Sequence, residues 1–102
     1  MNNLTFTLIK ETIIDIDMEK FIERVIPIYN YYGKKKTKCK TWFIEICIII
    51  DEMTSLDTWE YDNIYEVVRQ ILINAIMVSR AKSDNNSVEI LQKVLQTIDR
   101  NG

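Results

Sequence analysis

The sequence predicts a mainly α-helical protein built from two repeated helix-loop-helix units, each preceded by a short extended segment and packed together about a pseudo-two-fold axis. Three observations predict it. Apolar residues recur at steps of three and four in separate segments of the chain, the spacing of helices that bury one face. Glycine and proline, the usual interrupters of helices, number only two and one in 102 residues. The chain also aligns on itself at an offset of about half its length. With 47% hydrophobic and 27% charged residues it has the balance of one globular domain, residues 1–102. At this size folding hides roughly two thirds of the open chain's surface, so a core forms without disulfide or metal staples.

The elements follow in order. Residues 4–16 are β-branched and partly alternating, with Leu4, Phe6, Leu8, Ile14 and Ile16 on one parity, so an extended segment is expected. From Met18 the spacing changes to Phe21, Ile22, Val25, Ile26, Tyr29 and Tyr32, a helical stripe with Asp17 as its N-cap. Pro27 lies inside that stripe and should kink or pause the helix, and Gly33 should end it as a left-handed cap. A lysine-rich loop, 34–40, leads into 42–53, where the run Ile46, Cys47, Ile48, Ile49, Ile50 suits a buried strand as well as a helix. Ile64, Val67, Val68, Ile71, Leu72, Ala75 and Ile76 then form the clearest helical stripe, with Asn63 and Glu66 as a capping box. After a polar loop, 80–86, Asn86 and Glu89 repeat that arrangement ahead of Val88, Leu91, Val94, Leu95 and Ile98.

The repeat pairs residues 12–53 with 57–100. An offset of 45 superposes Ile14-Asp15-Ile16-Asp17 on Trp59-Glu60-Tyr61-Asp62, then Ile22 on Val67, Arg24 on Arg69, Ile26 on Ile71 and Ile28 on Ile73. Three inserted loop residues change the offset to 48, which places Phe43 on Leu91, Ile46 on Val94, Cys47 on Leu95, Ile50 on Ile98 and Asp51 on Asp99. The repeat resolves the ambiguous segment. The partner of 46–50 is a capped helix, so 42–53 should be helical too. Two units with one apolar face each cover one another, and their extended segments would meet near the axis as a short ribbon.

Composition removes whole classes of chemistry. The chain has no histidine, the commonest proton shuttle near neutral pH and the commonest metal ligand, and no glycine-rich phosphate cradle is available. No catalytic residue, metal ligand, cofactor or small-molecule substrate is expected, and the protein is read as non-enzymatic. Thirteen cationic side chains oppose fifteen acidic ones, so the molecule as a whole has no electrostatic pull toward nucleic acid or an anionic membrane. The longest apolar run is five residues, and Met1-Asn2-Asn3 opens no secretory leader, so an intracellular, soluble protein is expected. Cys39 and Cys47, eight residues apart, would stand about 12 Å apart on one helix, beyond disulfide reach.

Its length, the isoleucine-rich run within 42–50, the lysine-rich loop and the absence of histidine make the chain similar to the short orphan proteins of filamentous viruses of hyperthermophilic archaea, the Acidianus filamentous viruses. The resemblance covers the whole chain but carries no catalytic or binding motif, so it implies no site residues and no activity. It implies a viral role in the cytoplasm of a hot host, and such hosts tolerate intracellular disulfides. The scarcity of glycine fits that origin, while the heat-labile Asn85-Asn86 and Asn101-Gly102 pairs run against it.

Two surfaces remain as binding candidates. Lys34, Lys35, Lys36, Lys38 and Lys40 lie among Tyr29, Tyr31, Tyr32, Trp42 and Phe43, the mixture that phosphate contact and base stacking need, although without an arginine for bidentate recognition. This supports a nucleic-acid-binding accessory as the alternative function. Seven acids and no base between Glu45 and Glu66 complement the lysines and would equally serve a homodimer. The acid pairs Asp15/Asp17 and Glu60/Asp62 read as the solvent side of extended segments and as caps rather than as a metal or acid–base site. The leading reading is a protein–protein interaction module. Apolar side chains beyond the needs of the core, namely Tyr31, Ile48, Trp59, Tyr61, Ile73 and Met77, would line a groove between the two helical repeats and hold a protein or peptide partner.

Overall fold

The computed structural model describes residues 16–33, 39–54 and 64–101, and within them the protein is helical, with no strand. Helix α1 spans Met18–Gly33, α2 Cys39–Met53, α3 Ile64–Ala81 and α4 Asn85–Asn101. The mainly α class is therefore correct, and the β-branched segment 42–53 is helical. The expected extended segments and ribbon fall in 4–15 and 55–63, outside the described residues, apart from the buried Ile16.

Each helix forms for a local reason. The Asp17 carboxylate accepts the Lys20 N–H at 3.3 Å and its carbonyl takes the Phe21 N–H at 3.0 Å, so α1 starts at the cap the sequence offered. The helix runs on through Pro27 instead of pausing there. Pro27 is exposed, so the Glu23 carbonyl that loses its N–H partner there lies on the outer side of the helix. Gly33 is the last residue of the helix rather than the left-handed residue beyond it. Helix α2 begins at Cys39, so it takes in the last two positions of the expected lysine loop.

The join between α3 and α4 departs from expectation. The loop expected over 80–86 is a three-residue turn, 82–84. Its backbone bonds, Ser83 N–H to Arg80 C=O at 3.0 Å and Asp84 N–H to Ser79 C=O at 2.9 Å, are the paired bonds of a Schellman motif. Ser83 holds the left-handed position at φ 58°, where glycine is usual. Asp84, not Asn86, caps α4. One carboxylate oxygen accepts the Ser87 N–H at 3.2 Å and the other the Ser87 hydroxyl at 2.6 Å, and these bonds hold the Asp84 carboxyl below its ordinary pKa.

The stripes meet in one core. Phe21, Ile46, Ile50, Ile71, Leu72, Leu91 and Ile98 are fully buried, together with Val25, Val67, Val68 and Val94. Each large apolar side chain removed from water contributes roughly 1.5–3 kcal/mol before conformational entropy is subtracted. The most extensive contact joins α3 to α4, and a second joins α1 to α2, so the fold is two hairpins. Helix α1 packs on both α3 and α4, and α2 packs on α4. Stacked rings of Phe43 and Tyr65, 4.4 Å between centroids, link α2 to α3. A salt bridge from Lys82 in the tight turn to Glu19 ties the second hairpin to α1.

Candidate functional site

A cleft of about 390 Å³ runs between the C-terminal half of α3 and the middle of α4. It is lined by Ile73, Ile76, Met77 and Arg80 from α3 and by Gln92, Leu95 and Gln96 from α4. These positions recur at three and four along each helix, so they form two facing rows. The rows sit at the margin of the apolar stripes. Ile76 is buried at the core edge, Ile73 and Leu95 are half-buried, and Met77 stands 60% exposed.

The floor of the groove is thus apolar and its rim polar. Arg80, in the last turn of α3, is the one charged residue of the lining. Neither its guanidinium nor the amides of Gln92 and Gln96 take a hydrogen-bond or ion-pair partner among the described residues. An arginine offers donors only, and a glutamine amide offers both donor and acceptor. Such a groove suits an apolar side chain flanked by a carboxylate or by peptide groups, the pattern by which helices and extended segments are held. Met77 adds an adaptable, polarisable surface.

The expected contact residues divide. Ile73 and Met77 lie together, one turn apart, in this groove. Tyr31, 55% exposed and edge-on to Tyr32 at 4.8 Å, and Ile48, 46% exposed, belong to the first hairpin, whereas every residue lining the groove belongs to the second. The cleft therefore follows the two helices of one hairpin, not the seam between the hairpins. Trp59 and Tyr61 lie outside the described residues, as do Lys34, Lys35, Lys36 and Lys38. Lys40 is in the first turn of α2, and its side chain is likewise outside the description.

Ile76 and Leu95 are predicted only as members of the helical stripes, while Arg80, Gln92 and Gln96 complete the groove and are not among the contact residues the sequence predicts. Their available signal was weak. Arg80 follows Met77 by three residues on a helix whose apolar face ends there, and the only acid at helical spacing from it, Asp84, is committed to capping α4. Tyr65 is a further exposed aromatic, at 38%, anchored by its stack on Phe43. Among the described residues no group of three or more cysteine, aspartate or glutamate side chains is placed to hold a metal ion, and no helix is long and apolar enough to cross a membrane.

In the first hairpin a side-chain hydrogen bond joins the two helices. The Tyr32 hydroxyl donates to the Glu45 carboxylate at 3.1 Å, crossing from the end of α1 to α2, and that bond raises the Tyr32 pKa above its ordinary value. Tyr29 also meets Trp42 edge-on at 6.3 Å. Comparison with family models, with curated proteins and with solved structures finds no match to this chain.

Proposed function

We propose that the protein is a non-enzymatic interaction module that seats a protein partner in the α3–α4 groove. The observation that carries this reading is the juxtaposition of exposed Met77 and half-buried Ile73 with three polar heads, Arg80, Gln92 and Gln96, that take no partner among the described residues. Packing alone gives no reason to leave a 60% exposed methionine beside an apolar floor, whereas a partner's side chain would cover both.

The internal repeat supports the same reading. Arg24 and Arg69, aligned at the offset of 45, each reach from the first helix of a unit to an acid near the end of the second. Arg24 meets Glu52 at 2.6 Å and Arg69 meets Asp99 at 3.2 Å. The aligned pairs Ile46/Val94 and Ile50/Ile98 are buried in both units. Under that alignment Met77 corresponds to Tyr32, and Gln92 and Gln96 correspond to Ile44 and Ile48. One unit spans the space between its helices with the Tyr32–Glu45 hydrogen bond, and the other leaves it open. The two units would then pack about a pseudo-two-fold axis, with the space between the helices left open in the second of them.

The test uses the immobilised chain, exposed first to a cell extract and separately to the untagged chain. Wild type should retain a protein from at least one source, and Met77→Asp, with unchanged circular dichroism, should not. Equal retention by both proteins, or none by either, overturns the reading.

A further inference from the structure

We propose that the groove's occupant is a second copy of this chain, with the Ile48 face of α2 in one molecule seated between α3 and α4 of the other. This rests on the groove reading and names its partner. The two surfaces are complementary in polarity and in charge. Thr41, Ile44, Glu45, Ile48, Asp51 and Glu52 share one face of α2 through steps of three and four. Ile48 is 46% exposed at the centre of that face, and Ile44 is half-buried beside it. Nearly half of Ile48 is left uncovered, and a β-branched anchor of this size suits an apolar floor made by Ile73, Ile76, Met77 and Leu95.

Charge sets the orientation of the match. From Thr41 to Met53 the helix carries three acids, Glu45, Asp51 and Glu52, and no cation, while the groove lining carries Arg80 and no acid. Glu45 and Glu52 already hold Tyr32 and Arg24, yet a carboxylate accepts about four hydrogen bonds, so each keeps capacity for an incoming guanidinium or amide donor. Arg80 and the two glutamine amides supply those donors. A basic or neutral ridge would leave Arg80 unpaired or repelled, so the same-chain acidic ridge is favoured over other apolar surfaces.

The faces also have a common origin under the repeat. Ile44 and Ile48 align with Gln92 and Gln96, so corresponding positions are apolar in one unit and amide-bearing in the other, where Arg80 completes the lining. One helix in one groove buries a small area, so the contact should be weak, with a Kd of order micromolar or above, and two reciprocal contacts would close a dimer.

Sedimentation velocity from low to high micromolar concentration, at low and moderate salt, tests this. Wild type should shift from 12.1 kDa toward at least twice that mass as concentration rises, with weaker association in salt. Ile48→Asp, Met77→Asp and Arg80→Glu should each raise the midpoint by about tenfold or more, the equivalent of roughly 1.4 kcal/mol, with unchanged circular dichroism. The decisive arm mixes Ile48→Asp, whose groove is intact, with Met77→Asp, whose ridge is intact. The mixture should associate more tightly than either variant alone, because one native contact is restored. Wild type that stays monomeric, variants that associate like wild type, or a mixture no tighter than its components overturns the proposal. If the immobilised chain still retains another protein in a Met77-dependent way, the groove reading survives that result; if it retains nothing, both fall.

Discussion

Replacing Ser83 with glycine should stabilise the protein, and the margin can be worked from two opposing effects. Ser83 holds φ 58° in the turn between α3 and α4, and a Cβ in the left-handed region costs about 1–2 kcal/mol. Glycine removes that strain but loses more backbone freedom on folding, which takes back about 0.5–1 kcal/mol. The Schellman bonds at 2.9 and 3.0 Å use backbone atoms and survive the change. The net gain is centred on roughly 0.75 kcal/mol, which for a domain of this size raises Tm by about 3–6 °C. Thermal unfolding followed by circular dichroism at 222 nm reads it directly, with Ser83→Ala as the control that keeps the strained Cβ. A Ser83→Gly midpoint equal to or below wild type would refute the account, since it would mean that the turn is not under the strain its dihedral implies.

Three further outcomes are expected. Ser79 is buried, and its hydroxyl is the one buried side-chain polar atom without a hydrogen-bond partner among the described residues, so Ser79→Ala should raise the urea midpoint, by up to about 1 kcal/mol in stability, where loss of a made hydrogen bond would lower it. Ile71→Ala, in the fully buried centre of α3, should cost about 2–5 kcal/mol in the same titration, and a loss below about 1 kcal/mol would place Ile71 outside the core. The Tyr32 hydroxyl is held in its neutral form first by its hydrogen bond to Glu45, so the stability this adds is present below the ordinary pKa of 10.0 and is lost as pH rises through the higher folded value. Absorbance titration at 295 nm should show Tyr32 ionising earlier in Glu45→Gln, and an unmoved curve would break the assignment.

The helices were legible because burial writes itself into spacing: Val67, Val68, Ile71, Leu72, Ala75 and Ile76 could be nothing but one face of a helix. The segment 42–53 is legible as helix only through the alignment of the chain on itself, since a run of isoleucines carries no period of its own. The start of α4 was misplaced for a specific reason. Asp84, Asn85, Asn86 and Ser87 are four capping-competent residues in a row, and the choice among them depends on where α3 stops. That stop is set by a left-handed serine, which sequence patterns assign to glycine or asparagine. At the groove, Ile73 and Met77 are visible as apolar residues displaced from their stripe, as is Ile48 on the first hairpin. Arg80, Gln92 and Gln96 are not, because a polar residue on a helix exterior looks the same in sequence whether it faces open water or the rim of a cleft.

The three-residue turn between α3 and α4 also bears on the order in which the chain folds. Closing a short loop is entropically cheaper than closing a long one, and helices joined this way form most of their contacts between near neighbours in sequence. The second hairpin should therefore assemble first, its Asp84 cap and Schellman bonds fixing the crossing before the first hairpin docks. Protection from hydrogen exchange should then be deepest along α3 and α4 and shallower along α1 and α2, so the strand-like isoleucines of α2 are covered last and are the part of the chain most exposed to aggregation while folding is incomplete.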